Sequence, residues 1–124
     1  MIMAAQEMVR YFHKKFGVPI GKKPQLADVE LRCSLIAEEA QETMDAARAG
    51  DLPGAVDGLC DLIYVALGAA VRWGVSLDEL FTEVHEANMR KDGGGSRPDG
   101  KILKPNGWRP PDIEGLLRKQ GWRP

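Results

Sequence analysis

Cysteine is scarce in this chain, with two residues among 124, Cys33 and Cys60. Neither belongs to a Cys-x-x-Cys or Cys/His spacing, so no zinc site is encoded. They read as small buried thiols of a reducing compartment, and a disulfide between them is not expected. Net charge is also small, −1, which gives no bulk attraction to a nucleic acid polymer. No apolar run approaches the roughly 20 residues of a membrane span. The N-terminus lacks an uninterrupted apolar stretch and carries Glu7 and Arg10, so no signal peptide and a cytoplasmic location are expected. Gly93-Gly94-Gly95 is not followed by the Lys-Ser/Thr of a phosphate loop. No segment alternates convincingly as a strand, and no repeat or low-complexity block is present. Nor does a Ser-His-Asp or Cys-His set stand out. An all-α domain with its chemistry in acids and bases is what remains.

Apolar spacing places the helices. Met1, Ala4, Ala5, Met8, Val9, Phe12 and Phe16 recur at helical intervals and predict a first helix over 3–16, stopped by Gly17 with Pro19 beyond. Residues 17–25 read as a loop. A second helix runs from Ala27 or Asp28, the expected N-cap, to Ala49, with Gly50 as its C-terminal stop. Asp51 and Pro53 start a third, which continues to about Trp73. Gly68, Ala69 and Ala70 are small enough for another backbone to approach. Ser76 with Glu79 fits a capping box, opening a fourth helix that ends near Lys91. Residues 1–91 therefore form a helical core. Residues 92–124 form a Gly/Pro-rich tail of the same domain, with a short last helix at 112–119. Charge follows this division: residues 1–90 carry 9 basic and 14 acidic groups, residues 91–124 carry 8 and 4. A basic tail can meet phosphate while an acidic core holds metal.

The acids sit where an amphipathic helix would not put them. On helices turning about 100° per residue, Leu31, Leu35, Glu38, Glu42, Ala46 and Ala49 share an arc, with Glu39 at its edge. Asp57, Asp61, Tyr64, Gly68 and Val71 share another. Asp61 is the one charged residue between Leu59 and Val71, so burial is expected for it. Two helices joined by a short loop face each other, bringing Glu38, Glu39, Glu42, Asp57 and Asp61 toward one volume. Like charges that close oppose folding unless a cation intervenes. All-oxygen ligands suit Mg²⁺ or Mn²⁺. The competing reading, a solvated acidic pair with Asp57 favouring a helix start, leaves Asp61 without a reason.

These residues carry a resemblance. Glu38-Glu39-x-x-Glu42, a spacer, and an acid followed by Asp61 resemble the metal signature of the MazG-like all-α nucleoside triphosphate pyrophosphohydrolases. That group includes dimeric dUTPase-like enzymes and phosphoribosyl-ATP pyrophosphohydrolase. The usual second half is Glu-x-x-Asp; here Gly58 holds the Glu position, and the role passes to Asp57. The likeness continues through Asp61-Leu-Ile-Tyr-Val65, Val84-His-Glu-Ala-Asn-Met-Arg-Lys91 and Asp99-Gly-Lys-Ile-Leu-Lys-Pro-Asn-Gly-Trp-Arg-Pro-Pro111. The tail is similar to that of MazG-like dUTP pyrophosphatases.

The resemblance implies a bundle-type helical fold and Mg²⁺-dependent cleavage of a (deoxy)nucleoside triphosphate, dUTP foremost, to monophosphate and pyrophosphate. Glu38 or Glu39 would orient the water, while Glu42, Asp57 and Asp61 hold metal. Asn88 and Lys91 would face the substrate, with Lys101 and Lys104 in a tail able to close over it. Trp108 would stack on a base or anchor the tail; Phe12 and His13 would lie near the nucleotide. From the residues alone, Phe12 reads as core and His13 as an ordinary surface group. Arg97 and Arg109 are weaker phosphate contacts, and His85 reads as structural. Phosphoribosyl-ATP hydrolysis and a non-catalytic nucleotide-binding oligomer are the rival functions. A helix apolar nearly all round in so short a chain calls for a partner surface, so a homodimer is expected, with a tetramer as the alternative.

Overall fold

A computed structural model describes residues 2–124 as five helices: α1 (Ile2–Phe16), α2 (Val29–Arg48), α3 (Leu52–Arg72), α4 (Asp78–Met89) and α5 (Ile113–Lys119). The all-α expectation holds, with helix ends within about two residues of those read from the sequence. Met1, expected in the first apolar stripe, lies outside the described residues. The helices form an open series. Among the described residues, close backbone contacts join α2 to α3, α1 to α3, α1 to α4 and α4 to α5, and none joins α4 to α2 or α3.

α2 and α3 form an antiparallel hairpin because the link between them is short and well capped. Gly50 adopts φ 75°, which a Cβ would penalise. The Asp51 side chain accepts a 3.0 Å hydrogen bond from the Gly54 amide, and Pro53 sits in the first turn, where no amide donor is missed. Small residues then let the two backbones approach. A Cβ built on Gly58 would lie 2.9 Å from Thr43 Cα, so no side chain fits there without moving α2. Further along, Gly68 faces the Arg32 guanidinium.

The core sits at the far end of α3, where Val9, Leu67 and Val71 are buried and Ile2, Ala5, Ile20 and Leu77 pack around them. Gln6 joins α1 to the α3–α4 link. Its amide donates to the Val75 carbonyl at 2.6 Å and its carbonyl accepts from the Leu77 amide at 3.0 Å. Both amide groups of a buried Gln are thereby satisfied.

Several expectations are corrected. Cys33 and Cys60 are exposed, on faces of α2 and α3 that no helix covers. The buried side of α1 is turned from the expected stripe: Gln6, Val9 and His13 point inward, while Met8, Phe12 and Phe16 are exposed. Ser76 does not cap α4. Its amide is taken by the Gln120 side chain, which also donates to the Ser76 carbonyl. Asp28 stands at the start of α2 in a left-handed conformation, φ 49°, and its carboxylate pairs with Arg72 instead of capping. The tail holds one antiparallel bridge, Ser96 to Ile102.

α3 itself is long and apolar enough, by length and composition, to span a membrane. It is nonetheless a packed helix of the domain, since residues 67–71 are buried and Asp57 and Asp61 lie within it. Its first half presents Leu52, Val56, Leu59 and Ile63, each about half or more exposed. At helical spacing this stripe lies opposite the face that meets α2.

Candidate active site

The acidic cluster forms where α2 and α3 cross. Glu39 is half-buried, and its Oε2 atom is shielded from solvent with no hydrogen-bond partner. Its carboxyl is pushed above the ordinary glutamate range, first by desolvation and then by the charges of Glu42, Asp61 and Glu38, with a carboxyl contact to Glu42. Thr43, one turn on, returns its hydroxyl to the Glu39 carbonyl at 2.6 Å and so donates nothing to the carboxylates.

Four of the five expected acids are thus neighbours through Glu39. Asp61 is exposed, contrary to expectation, because the single chain leaves the first half of α3 uncovered. Asp57 is also exposed, one turn before Asp61. Gly58, buried against Thr43, explains why no acid occupies its position. Among the described residues no three acids, histidines or cysteines are drawn to metal-holding distances. An orphaned, desolvated carboxylate oxygen beside three further carboxylates is nevertheless a donor set that fits a hard divalent cation.

A cavity of about 350 Å³ opens beside this cluster, among α1, α2 and α3, lined by Phe12, His13, Arg32, Leu35, Tyr64 and Gly68 among others. Phe12 and Tyr64 stand edge to face at its rim, with ring centroids 5.6 Å apart. Phe12 is therefore not a core residue. His13 is not a surface group: it is 2% exposed, with Nδ1 3.2 Å from the Pro19 carbonyl. Burial lowers its pKa, the hydrogen bond to Pro19 opposes this, and the charges of Arg32, Arg10 and Arg72 lower it further, which together favour the neutral ring. Arg32 was missed in the sequence. The available signal was a cation in the first turn of α2, at the register where α3 offers Gly68.

The basic residues lie elsewhere in the chain. Trp108 folds back onto the end of α4, its indole donating to the Ala87 carbonyl at 2.8 Å. Lys91 and Lys104 both hold their ammonium groups over this ring, at 5.3 and 4.9 Å from its centroid. Arg90 donates to the Arg109 carbonyl. The tail is anchored at these points, where the sequence suggested a free closing segment. Arg97 is held in a two-bond pair with Asp99, at 2.9 and 2.6 Å, which keeps that carboxyl below its ordinary range. Asn88, Lys101 and His85 are exposed. Among the described residues α4 makes no close backbone contact with α2 or α3, so helix packing within one chain does not join Asn88 and Lys91 to the acids.

The site thus combines an acidic α2–α3 hairpin with a pocket beside it. Comparison of the sequence with protein families decides the kinship: the profile of phosphoribosyl-ATP pyrophosphohydrolase matches residues 7–88. The chain belongs to that family. It thereby falls in the MazG-like all-α superfamily, whose members are nucleotide pyrophosphohydrolases and generally depend on a divalent metal. The matched span of the phosphoribosyl-ATP pyrophosphohydrolase profile contains α2, α3 and every acid of the cluster, and it ends at Asn88, before the basic tail. Comparison with curated proteins finds no significant match.

Proposed function

We propose that this family member hydrolyses the α–β phosphoanhydride bond of a nucleotide, with a divalent cation, Mg²⁺ first and Mn²⁺ second, held by Glu39, Glu42 and Asp61. Glu38 and Asp57 stand at its edge. The observation that carries the reading is the Glu39 carboxyl, desolvated and with its Oε2 atom unpartnered between the acids of two helices. The cation, when bound, neutralises phosphate charge and acidifies water. Glu38 or Glu39 orients the attacking water and takes its proton, a role for which a raised carboxyl pKa is suited. Oxygen from water joins the α-phosphorus as the bridging oxygen leaves with pyrophosphate.

Two substrates are in view. Likeness of the tail to dUTP pyrophosphatases favours a deoxynucleoside triphosphate, with dUTP first. The matched family favours phosphoribosyl-ATP. Phe12 and His13 line the pocket suited to the base. Lys91, Lys104 and Trp108 form the cationic group suited to phosphates, with Asn88 and Lys101 nearby in sequence. These basic groups reach the acids through a second copy of the chain. Support for a homodimer, or a tetramer built from it, comes from the exposed stripe Leu52, Val56, Leu59 and Ile63, which has no cover in one chain. A place in cytosolic nucleotide metabolism accords with this reading.

The deciding experiment is pyrophosphate release from a nucleotide panel that includes dUTP and phosphoribosyl-ATP, with and without Mg²⁺. Metal-dependent release, lost in Glu42→Gln and Asp61→Asn, is expected. A folded protein that binds Mg²⁺ yet releases no pyrophosphate from any nucleotide would be a binding oligomer, with Gly58 in place of the usual acid as the reason.

A further inference from the structure

Arg32 is 5% exposed, and its Nε has no hydrogen-bond partner. Asp28, whose charge reaches it, is hydrogen-bonded to Arg72. A buried guanidinium without an acceptor is an incomplete arrangement, since each donor removed from water must be repaid by an interaction. The group borders the 350 Å³ cavity, with Nη1 2.9 Å from where a Cβ on Gly68 would stand. A side chain at that position would press on the guanidinium. The rest of the wall is apolar or aromatic: Phe12, Tyr64, Leu31 and Leu35. Beside Arg32, His13 directs Nε2 toward the same glycine, 3.6 Å from that Cβ position. With Nδ1–H donating to the Pro19 carbonyl, Nε2 of the neutral ring is an acceptor.

We infer that Arg32 determines base specificity by donating to a ring carbonyl of a nucleobase held in this cavity. The inference rests on the nucleotide reading above and deepens it, favouring a deoxynucleoside triphosphate, dUTP first, over phosphoribosyl-ATP, whose adenine carries no ring carbonyl. Arg has five donors and no acceptor, so it selects an edge rich in acceptors. Uracil, thymine, cytosine and guanine each offer a carbonyl oxygen; adenine offers none. The volume is at the lower end of small-molecule pockets, and the aromatic rim suits a flat ring. The neighbouring His13 Nε2 takes a ring or exocyclic N–H of the same base.

The test is calorimetric binding of the nucleoside monophosphates dUMP, dCMP, dGMP and dAMP to the wild-type protein, which requires no turnover. Binding of the three oxo-bases about 10-fold or more tighter than dAMP is expected, the effect of one charged hydrogen bond. Arg32→Met should bring the four within about threefold of each other. Leu35→Trp, which fills the cavity from one turn along α2 and leaves Arg32 itself in place, should weaken all four together. Equal wild-type affinity for dAMP and the oxo-bases overturns the inference whether or not the variants fold, as does no binding of any monophosphate. Metal-dependent turnover without this preference would leave the enzyme reading standing and remove the role of Arg32. Preference without turnover would do the reverse.

Discussion

Gly58 allows a quantitative test of how α2 and α3 meet. In an exposed helix interior, Gly→Ala is favourable by about 1 kcal/mol. Here the added methyl would stand 2.9 Å from Thr43 Cα, a backbone atom that moves only with α2. Overpacking of this kind costs about 1–3 kcal/mol. Contact with fixed backbone belongs in the upper part of that range, so Gly58→Ala should lose about 1–2 kcal/mol net. For a chain of 124 residues that lowers Tm by about 3–8 °C. Gly58→Glu, which would restore the usual acid, carries the same Cβ and a longer side chain driven toward α2. It should be destabilised further and gain no metal affinity. Adding Thr43→Ala removes the hydroxyl side of the clash and leaves the Cα side, so it should recover only part of the loss. Thermal unfolding of the three variants measures this. A Tm for Gly58→Ala equal to or above wild type would refute the close helix contact and the explanation of the displaced acid.

The raised carboxyl of Glu39 sets a pH dependence. A folded-state pKa above the unfolded value means stability is fully present below the ordinary glutamate pKa and falls as pH rises toward the raised folded value. Glu39→Gln should flatten that decline, and an unchanged pH profile of Tm would count against the cluster. Mg²⁺ should release protons on binding, read as different apparent enthalpies in two buffers of unlike ionisation heat. Ile63→Asp places a charge in the exposed α3 stripe and should convert a dimer to a monomer by light scattering; a wild-type monomer at micromolar concentration removes the dimer proposal. Lys104→Ala takes one ammonium from above Trp108 and should raise KM severalfold with metal affinity unchanged, whereas an equal fall in metal affinity would make the tail structural.

Helix number, order and ends were legible in the sequence because local chemistry sets them. Gly17, Gly50 and Gly74 all take positive φ, and Asp51 and Asp112 both cap as their positions suggest. Turn and cap chemistry acts within a few residues, and it fails where a distant partner takes the capping group, as Arg72 does for Asp28 and Gln120 for Ser76. The acidic constellation was legible for a related reason: Glu39, Glu42 and Asp61 lie on facing helices joined by a short link, which restricts how they can meet.

Burial and neighbours could not be read this way. The apolar face of α1 includes residues on both sides of the helix, and only packing against α3 chose Val9 and His13 over Met8 and Phe16. Asp61 was expected inside because its helix is apolar all round, yet one chain covers only part of that helix. Arg32 is one charged residue among several on α2, and Gly68, 36 positions away, makes it a buried cation at a cavity wall. Sequence determined the elements and their chemical inventory, through interactions between residues close along the chain. The tertiary structure alone decided which side chains lose water and which face each other, because desolvation depends on segments distant in sequence.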